Sequence, residues 1–320
     1  MLQQFSLIEQ SDEDSLTPEQ AFSTDDNVEI LRFAAKAADD GMAVALVTLV
    51  DIRGGSAREP GAQMAVRQDG LYCGFVSGGC VEAAAAHEAL DVIRCGHDRT
   101  VSYGVGSPWF DIVLPCGGGI TLSIHKLRCV RPLLKVLTAI DRRQAAALRY
   151  HPPSQTLQSP DSAALESGWN GAFFDISYRP KTRVMIYGRS WEAEVTASLA
   201  QAAGYEVATG DSTPHSVTAT AVDTSTAVIL LYHDLNRELP VLQAALAAKP
   251  FYIGALGSRR THQNRVQRLT ELGWHASDIA RIKAPIGIFP KARDAHSLAL
   301  SILADVAAAR LSSADQGRSG

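Results

Sequence analysis

The stretch "RVMIYGRSWEAEVTASLAQAAG", Arg183–Gly204, decides the fold. Val184 to Tyr187 form an apolar strand, a single glycine follows, and a helix begins near Trp191. That is the shape of a nucleotide-binding turn. Such turns normally carry two or three glycines, because only bare backbone comes close to a phosphate. Here Gly188 stands alone, followed by Arg189, Ser190 and the bulky Trp191.

Working outward, the alternation continues. "YEVATGD" and "TAVILLY" are the next strands, "RELPVLQAALAAK" is a helix, "FYIGALG" a strand and "SRRTHQNRVQRLTELG" a helix. A last helix covers "DAHSLALSILADVAAAR". Strands of buried type alternating with helices predict a parallel, doubly wound, Rossmann-like sheet over residues 181–312. Upstream the pattern differs. A helix fits "NVEILRFAAKAADDG", a continuous apolar strand fits "MAVALVTLVDI", and two strands flank the turn at Asp69-Gly70. "VEAAAAHEALDVIRCG" reads as a helix, and "FDIVLPC" and "ITLSIHKL" as two more strands. This predicts an N-terminal α+β domain over residues 28–130. Residues 131–180 read as a helical segment and then a linker rich in Pro, Ser and Gly, and residues 1–27 and 313–320 as loosely ordered tails. The whole is an α/β chain of two domains.

Composition narrows the function classes. With 320 residues and a net charge of −4, the chain gives no general reason to expect a nucleic-acid partner. No apolar run reaches the length of a membrane span, and the opening residues lack the basic and apolar segments of an export signal. Five cysteines without a CxxC pair point to free thiols in a reducing compartment, so a cytoplasmic location is expected.

Three segments of the first domain carry candidate chemistry. In "DIRGGSAREPGAQM", Gly55, Ser56, Arg58 and Gly61 either hold an anion through exposed backbone N–H groups or merely make a tight connection. In "FVSGGCVEAAAAHEAL", Cys80 follows Gly78 and Gly79 where a helix begins. The helix dipole there favours a thiolate, while Glu82 in the first turn opposes it. The alternative is a small buried cysteine packed beside glycines. In "LPCGGGITL", Cys116 precedes Gly117 and Gly118. Two Cys/Gly elements in one small domain suggest a shared pocket and leave a Cys80–Cys116 pairing open. Cys73, Cys95 and Cys129 read as packing residues.

In the second domain, "FYIGALGSRRTHQNR" runs a strand into Gly254 and Gly257, then Ser258 as a helix cap, then Arg259 and Arg260. Cations oppose the dipole at a helix start, and a bound phosphate would reconcile them. The alternative is two solvated surface arginines. His233 and Asp234 lie at the end of a strand, where open α/β sheets bind ligands, or Asp234 simply caps the next helix.

In this order, "GGSAREPGAQM", "SGGCVEAA", "CGGGITL", "YHDLNRELPVLQAAL", "YIGALGSRRTHQNRVQRLTELG", "RIKAPIGI" and "LALSILADVAAAR" resemble the XdhC/CoxI family, accessory factors of xanthine dehydrogenase and carbon monoxide dehydrogenase. The resemblance implies a cytoplasmic, homodimeric chaperone that binds the molybdenum cofactor, as molybdopterin or a nucleotide form of it. It further implies that a cysteine desulfurase helps to sulfurate that cofactor, and that the client is a molybdenum hydroxylase. It would place Cys80 near the molybdenum. The chain departs from the family at Gly188–Trp191, where members carry a Gly-x-Gly-His-type turn, after the second strand, which keeps Asp211 without the following arginine, and in the loop "GIFPKARDAHSL". These departures argue against NAD(P) as a cofactor, and Trp191 reads as a filler of the vacated space. An NAD(P)-dependent oxidoreductase and a cofactor-free scaffold between desulfurase and client are the competing readings.

Overall fold

A computed structural model of the chain describes residues 16–105, 117–162, 166–188, 190–210, 222–289 and 291–315. Cys116, Arg189, Asp211, the strand expected at "FDIVLPC", most of the first tail and the last residues of the second lie outside them. The chain divides into two compact units, one ending at Tyr178 and one beginning at Arg179.

The first unit is built on a six-stranded sheet of β1 (Glu19–Phe22), β2 (Val44–Arg53), β3 (Gln63–Arg67), β4 (Leu71–Gly74), β5 (Arg99–Gly104) and β6 (Gly119–Lys126), in the order β1-β4-β3-β2-β6-β5. Both faces are covered, which is why β2 reads as an unbroken apolar run rather than an alternating one. Ala45, Val47 and Leu49 face α2 (Glu82–Cys95), packing with Ala85, Ala89 and Val92. Val44 and Leu46 face the other way, onto Ile30, Leu31 and Ala34 of α1 (Asn27–Asp39) and Leu133 and Val136 of α3 (Arg131–Asp141).

Two expectations change here. Residues 19–22, read as tail, form β1, which pairs in parallel with β4. Residues 131–180, read as a segment and linker, contribute α3 and a four-stranded antiparallel sheet of β7 (Ala146–His151), β8 (Thr156–Gln158), β9 (Gly168–Asn170) and β10 (Phe173–Tyr178). Leu148, Phe174, Ile176 and Tyr178 of that sheet share the core of α1 and α3. The physical reason is burial: those apolar side chains close one face of the large sheet, and the Pro/Ser/Gly-rich stretch supplies the turns between short strands.

The second unit is the doubly wound sheet that the sequence predicts. Its strands are β11 (Arg183–Tyr187), β12 (Glu206–Gly210), β13 (Thr226–Leu230), β14 (Tyr252–Ala255) and the two-residue β15 (Ile282–Lys283), all parallel, in the order β12-β11-β13-β14-β15. Alternate residues divide between the faces. Val184, Ile186, Ala227 and Ile229 pack with Ala193 of α4 (Trp191–Ala202) and with Ile302 and Val306 of α8 (Ala295–Asp315). Met185, Tyr187, Val228 and Leu230 pack on Val241, Leu242 and Ala245 of α5 (Leu235–Ala248) and Leu269 of α6 (Arg259–Glu271). A one-turn helix, α7 (Ala276–Ile279), precedes β15.

Candidate functional site

In the first unit the three glycine-bearing loops meet at one end of the sheet. Gly54 and Gly55 follow the last residue of β2, Arg53, which is in register with Gly119 at the start of β6. A Cβ on Gly118 would collide with the carbonyl of Gly55, so the close approach of these two loops requires glycine there. A Cβ on Gly54 would lie 3.5 Å from the Gly118 Cα, and one on Gly78 would lie 3.3 Å from the Ala57 Cβ. Gly54–Ala57, Ser77–Cys80 and Gly117–Gly118 therefore form one cluster, while Cys116, the second cysteine of the expected shared pocket, lies outside the described residues. Cys80 sits beside the cluster as an exposed thiol, one residue ahead of Val81, which caps α2.

Other expected members have different work. Glu82 is buried, and its carboxylate accepts hydrogen bonds from the backbone N–H groups of Val76, Ser77, Gly78, Gly79 and Val81 and from the Ser77 hydroxyl. Burial works against that charge, but the donors, led by Ser77, outweigh it and hold the carboxyl below the usual carboxylate range. The helix start thus carries its own anion. The Cys80 N–H is also spent, on the Ser77 Oγ at 3.1 Å. Gly78 and Gly79 consequently shape the loop and direct their N–H groups inward, not toward a ligand.

Arg58 is likewise occupied. Its Nη1 donates to Asp25 at 2.8 Å and its guanidinium lies 5.7 Å from the centre of the Phe75 ring. Ser56 accepts from the Arg58 N–H and closes the turn. Gly61 stands outside the cluster: its N–H donates to the Leu49 carbonyl at 2.8 Å and its carbonyl accepts from Asn27. The sequence reading passed over Arg53. Its Nε and Nη2 are closed off from solvent and have no hydrogen-bond partner. An arginine ending a strand directly before two glycines was the available cue.

The remaining cysteines split. Cys73 is packed in the core, where burial pushes its thiol up to about 12, whereas Cys95 and Cys129 are exposed rather than packed. Among the described residues no three His, Cys, Asp or Glu side chains form a metal-binding group.

In the second unit the strand order reverses between β11 and β13, and the carboxyl ends there gather Gly188, His233, Asp234 and the Gly257–Arg260 turn. Gly188 has φ +142°, and a Cβ on it would lie 2.6 Å from the Leu231 carbonyl oxygen. Close passage of the neighbouring strand end explains this glycine without a phosphate. Trp191 does not fill vacated space: it is 62% exposed, and its ring meets that of His296 edge-on. Asp234 caps α5 by accepting from the Asn236 N–H at 2.9 Å, and His233 is exposed. Glu192 at the start of α4 is held below its usual range by its own backbone N–H, with His233 adding a smaller attraction.

Gly254 lies in β14 against Ile286, a packing position. Ser258 caps α6 through the Thr261 N–H at 3.2 Å. Arg259 and Arg260 are exposed in the first turn. Deeper in the helix, the fully buried Arg265 pairs with Glu238 of α5 and donates to the Leu256 carbonyl, tying α5, α6 and the end of β14 together. An open hollow of about 740 Å³ lies between α4 and the end of β12, lined by Gly188, Ser190, Ala193, Glu194, Thr209 and Gly210 among others.

Comparison with known proteins places the chain. Residues 37–104 match the model of the XdhC and CoxI family, and residues 184–306 match that of the XdhC Rossmann domain. The molybdenum cofactor insertion chaperone PaoD of Escherichia coli K12 is 62% identical over 294 residues, 92% of each chain. The uncharacterized protein YqeB of the same organism is 27% identical over 85% of this chain and 44% of its own length. A crystal structure from Bacillus halodurans, described as a xanthine dehydrogenase, matches with a TM-score of 0.67 over 90% of this chain and 96% of that one. At 20% identity that likeness speaks to the fold alone. With both halves matched in order and a full-length relative at this identity, the chain belongs to the XdhC/CoxI family.

Proposed function

We propose that this protein is a chaperone for the molybdenum cofactor: it binds the cofactor as cargo and delivers it to a molybdoenzyme client of the xanthine dehydrogenase class. The observation that carries this reading is the 62% identity, spanning both chains, to a relative named as a molybdenum cofactor insertion chaperone. The loop cluster of the first unit supports it. The Gly54–Gly55 and Gly118 backbones meet without side chains between them, which lets a flat heterocycle come close to main-chain groups. The exposed Cys80 thiol stands at that cluster, where sulfur chemistry on the cargo would need a soft ligand or relay. In this reading the cargo is molybdopterin or a nucleotide form of it, a cysteine desulfurase supplies the sulfur, and the chain works in the cytoplasm as a homodimer.

No described helix is long and apolar enough to cross a membrane. The test is purification of the full chain from a molybdenum-replete host, with mass spectrometry of any pterin it carries. Wild-type protein is expected to carry pterin. Cys80→Ala is expected to reduce activation of a co-expressed molybdenum hydroxylase at least about tenfold while leaving the unfolding midpoint unchanged. Wild-type protein free of pterin, together with undiminished activation by Cys80→Ala, would sink the proposal.

A further inference from the structure

We infer that Arg53 is the anion-binding residue of the loop cluster and takes a phosphate or pyrophosphate group of the ligand. The inference rests on the cofactor-chaperone reading only for the identity of that ligand. A guanidinium is charged at every accessible pH, so it cannot shed the cost of burial by losing a proton. An uncompensated buried charge costs several kcal/mol, and folded chains normally pair it. Arg53 breaks that rule at two of its nitrogens: the residue is half-buried, yet Nε and Nη2 are both closed off and both unpartnered, and no carboxylate among the described residues forms an ion pair with it.

Its place in the chain fits an anion site. Arg53 ends β2 opposite Gly119, directly before Gly54 and Gly55, and its carbonyl crowds the position that a Gly118 Cβ would take. Several other groups of the cluster are already committed. Arg58 is held by Asp25, and the amides of Gly78 and Gly79 are held by Glu82. Among the described residues of these loops, Arg53 is the cation left without a partner, and Nε with Nη2 is the edge of the guanidinium that binds two oxygens of one phosphate.

The experiment uses the full chain with inorganic pyrophosphate as the probe, read by calorimetry and by the thermal midpoint. Wild-type protein is expected to bind it and to gain midpoint. Arg53→Met is expected to weaken binding at least about tenfold. The same variant should raise the midpoint in anion-free buffer, because an unpaired charge has been removed. Arg53→Lys keeps the charge without the two-pronged edge, and is expected to fold like the wild type and bind more weakly; it decides the case should Arg53→Met fail to fold. Arg58→Ala is expected to bind pyrophosphate normally. A response that survives in Arg53→Met and Arg53→Lys, or that is absent from the wild type, overturns the inference. Pterin content is scored separately. A wild-type chain that carries pterin but ignores pyrophosphate refutes the role of Arg53 and leaves the chaperone reading standing. A pyrophosphate response lost in Arg53→Met, on a chain without pterin, does the reverse.

Discussion

The two units each bring glycines to one end of a sheet, yet they use them for opposite purposes. In the first unit, glycines let two loops approach until backbone meets backbone and a third come up against Ala57, and Arg58 and Glu82 beside them are paired internally. In the second, Gly188 lets one strand end pass another, Gly254 makes room for Ile286, and the turn at Gly257 carries an ordinary serine cap. Among the described residues, the first arrangement leaves a half-buried arginine with two closed-off nitrogens unpartnered; the second leaves two exposed arginines. Glycine content therefore marks close approach, and the state of the nearby cations marks where an anion would be bound.

The sharpest way to break this comparison is Glu82. Its carboxylate organises five backbone N–H groups of the loop that carries Cys80. Glu82→Ala leaves those donors without an acceptor, the ones at Val76, Ser77 and Val81 buried, and roughly 3–5 kcal/mol of unfolding free energy is expected to be lost in urea. Glu82→Gln keeps the shape and one acceptor oxygen and should lose less. If Glu82 instead served the ligand, both variants would retain wild-type stability and fail only in cofactor loading.

Asp98 sharpens the same contrast at the other end of α2. It is buried and accepts from His125 at 2.6 Å, Tyr150 at 2.7 Å, Arg128 at 2.8 Å and the Lys126 N–H at 3.0 Å. Burial opposes its charge, but the hydrogen bond and charge of His125, with Tyr150 and Arg128, outweigh it and hold the carboxyl below the usual range. Because the folded value is depressed, the stabilisation is fully present above about pH 4, the ordinary carboxylate value, and fades as pH falls through the folded one. Asp98→Asn should therefore cost about 2 kcal/mol at neutral pH. Urea titrations from pH 7 down to pH 3 should show the gap to the wild type narrowing. A gap that widens in acid would mean that Asp98 is not the charged partner in this network.

How far these features can be read from sequence follows from the range of the interactions. The parallel strands were legible because both of their faces are covered, so "VMIY" and "AVIL" read as unbroken apolar runs. The sheet of residues 146–178 was not. Its strands are three to six residues long, and the turns between them have the composition of a linker. At the loop cluster, the sequence picked out three glycine-bearing loops and named Arg58, passing over Arg53. Arg53 and Arg58 look alike in "DIRGGSARE", and what separates them is Asp25, 33 residues away from Arg58, which pairs with one and not the other. Glu82 was seen as a neighbour of Cys80, but its grip on the loop amides depends on the glycine conformations at Gly78 and Gly79, which local pattern does not specify.

The smallest effect on stability is expected at Arg259 and Arg260. Both are exposed at the start of α6, where they oppose the helix dipole, and neither is needed for the cap, which Ser258 supplies through the Thr261 N–H. The double variant Arg259→Ala/Arg260→Ala should leave the urea midpoint unchanged, or raise it slightly as the repulsion is relieved. The two arginines would then matter only through what they meet in solution. Their effect on pyrophosphate affinity, measured beside that of Arg53→Met, ranks the two units directly. Exposed cations gain little from an anion that salt already screens, whereas one whose Nε and Nη2 are closed off from water gains its missing partner. The double variant is therefore expected to change affinity less than about threefold at 0.15 M salt and more at low salt, while the loss in Arg53→Met persists at both. An affinity loss in the double variant that equals that of Arg53→Met and survives added salt would move the anion site to the strand ends of the second unit.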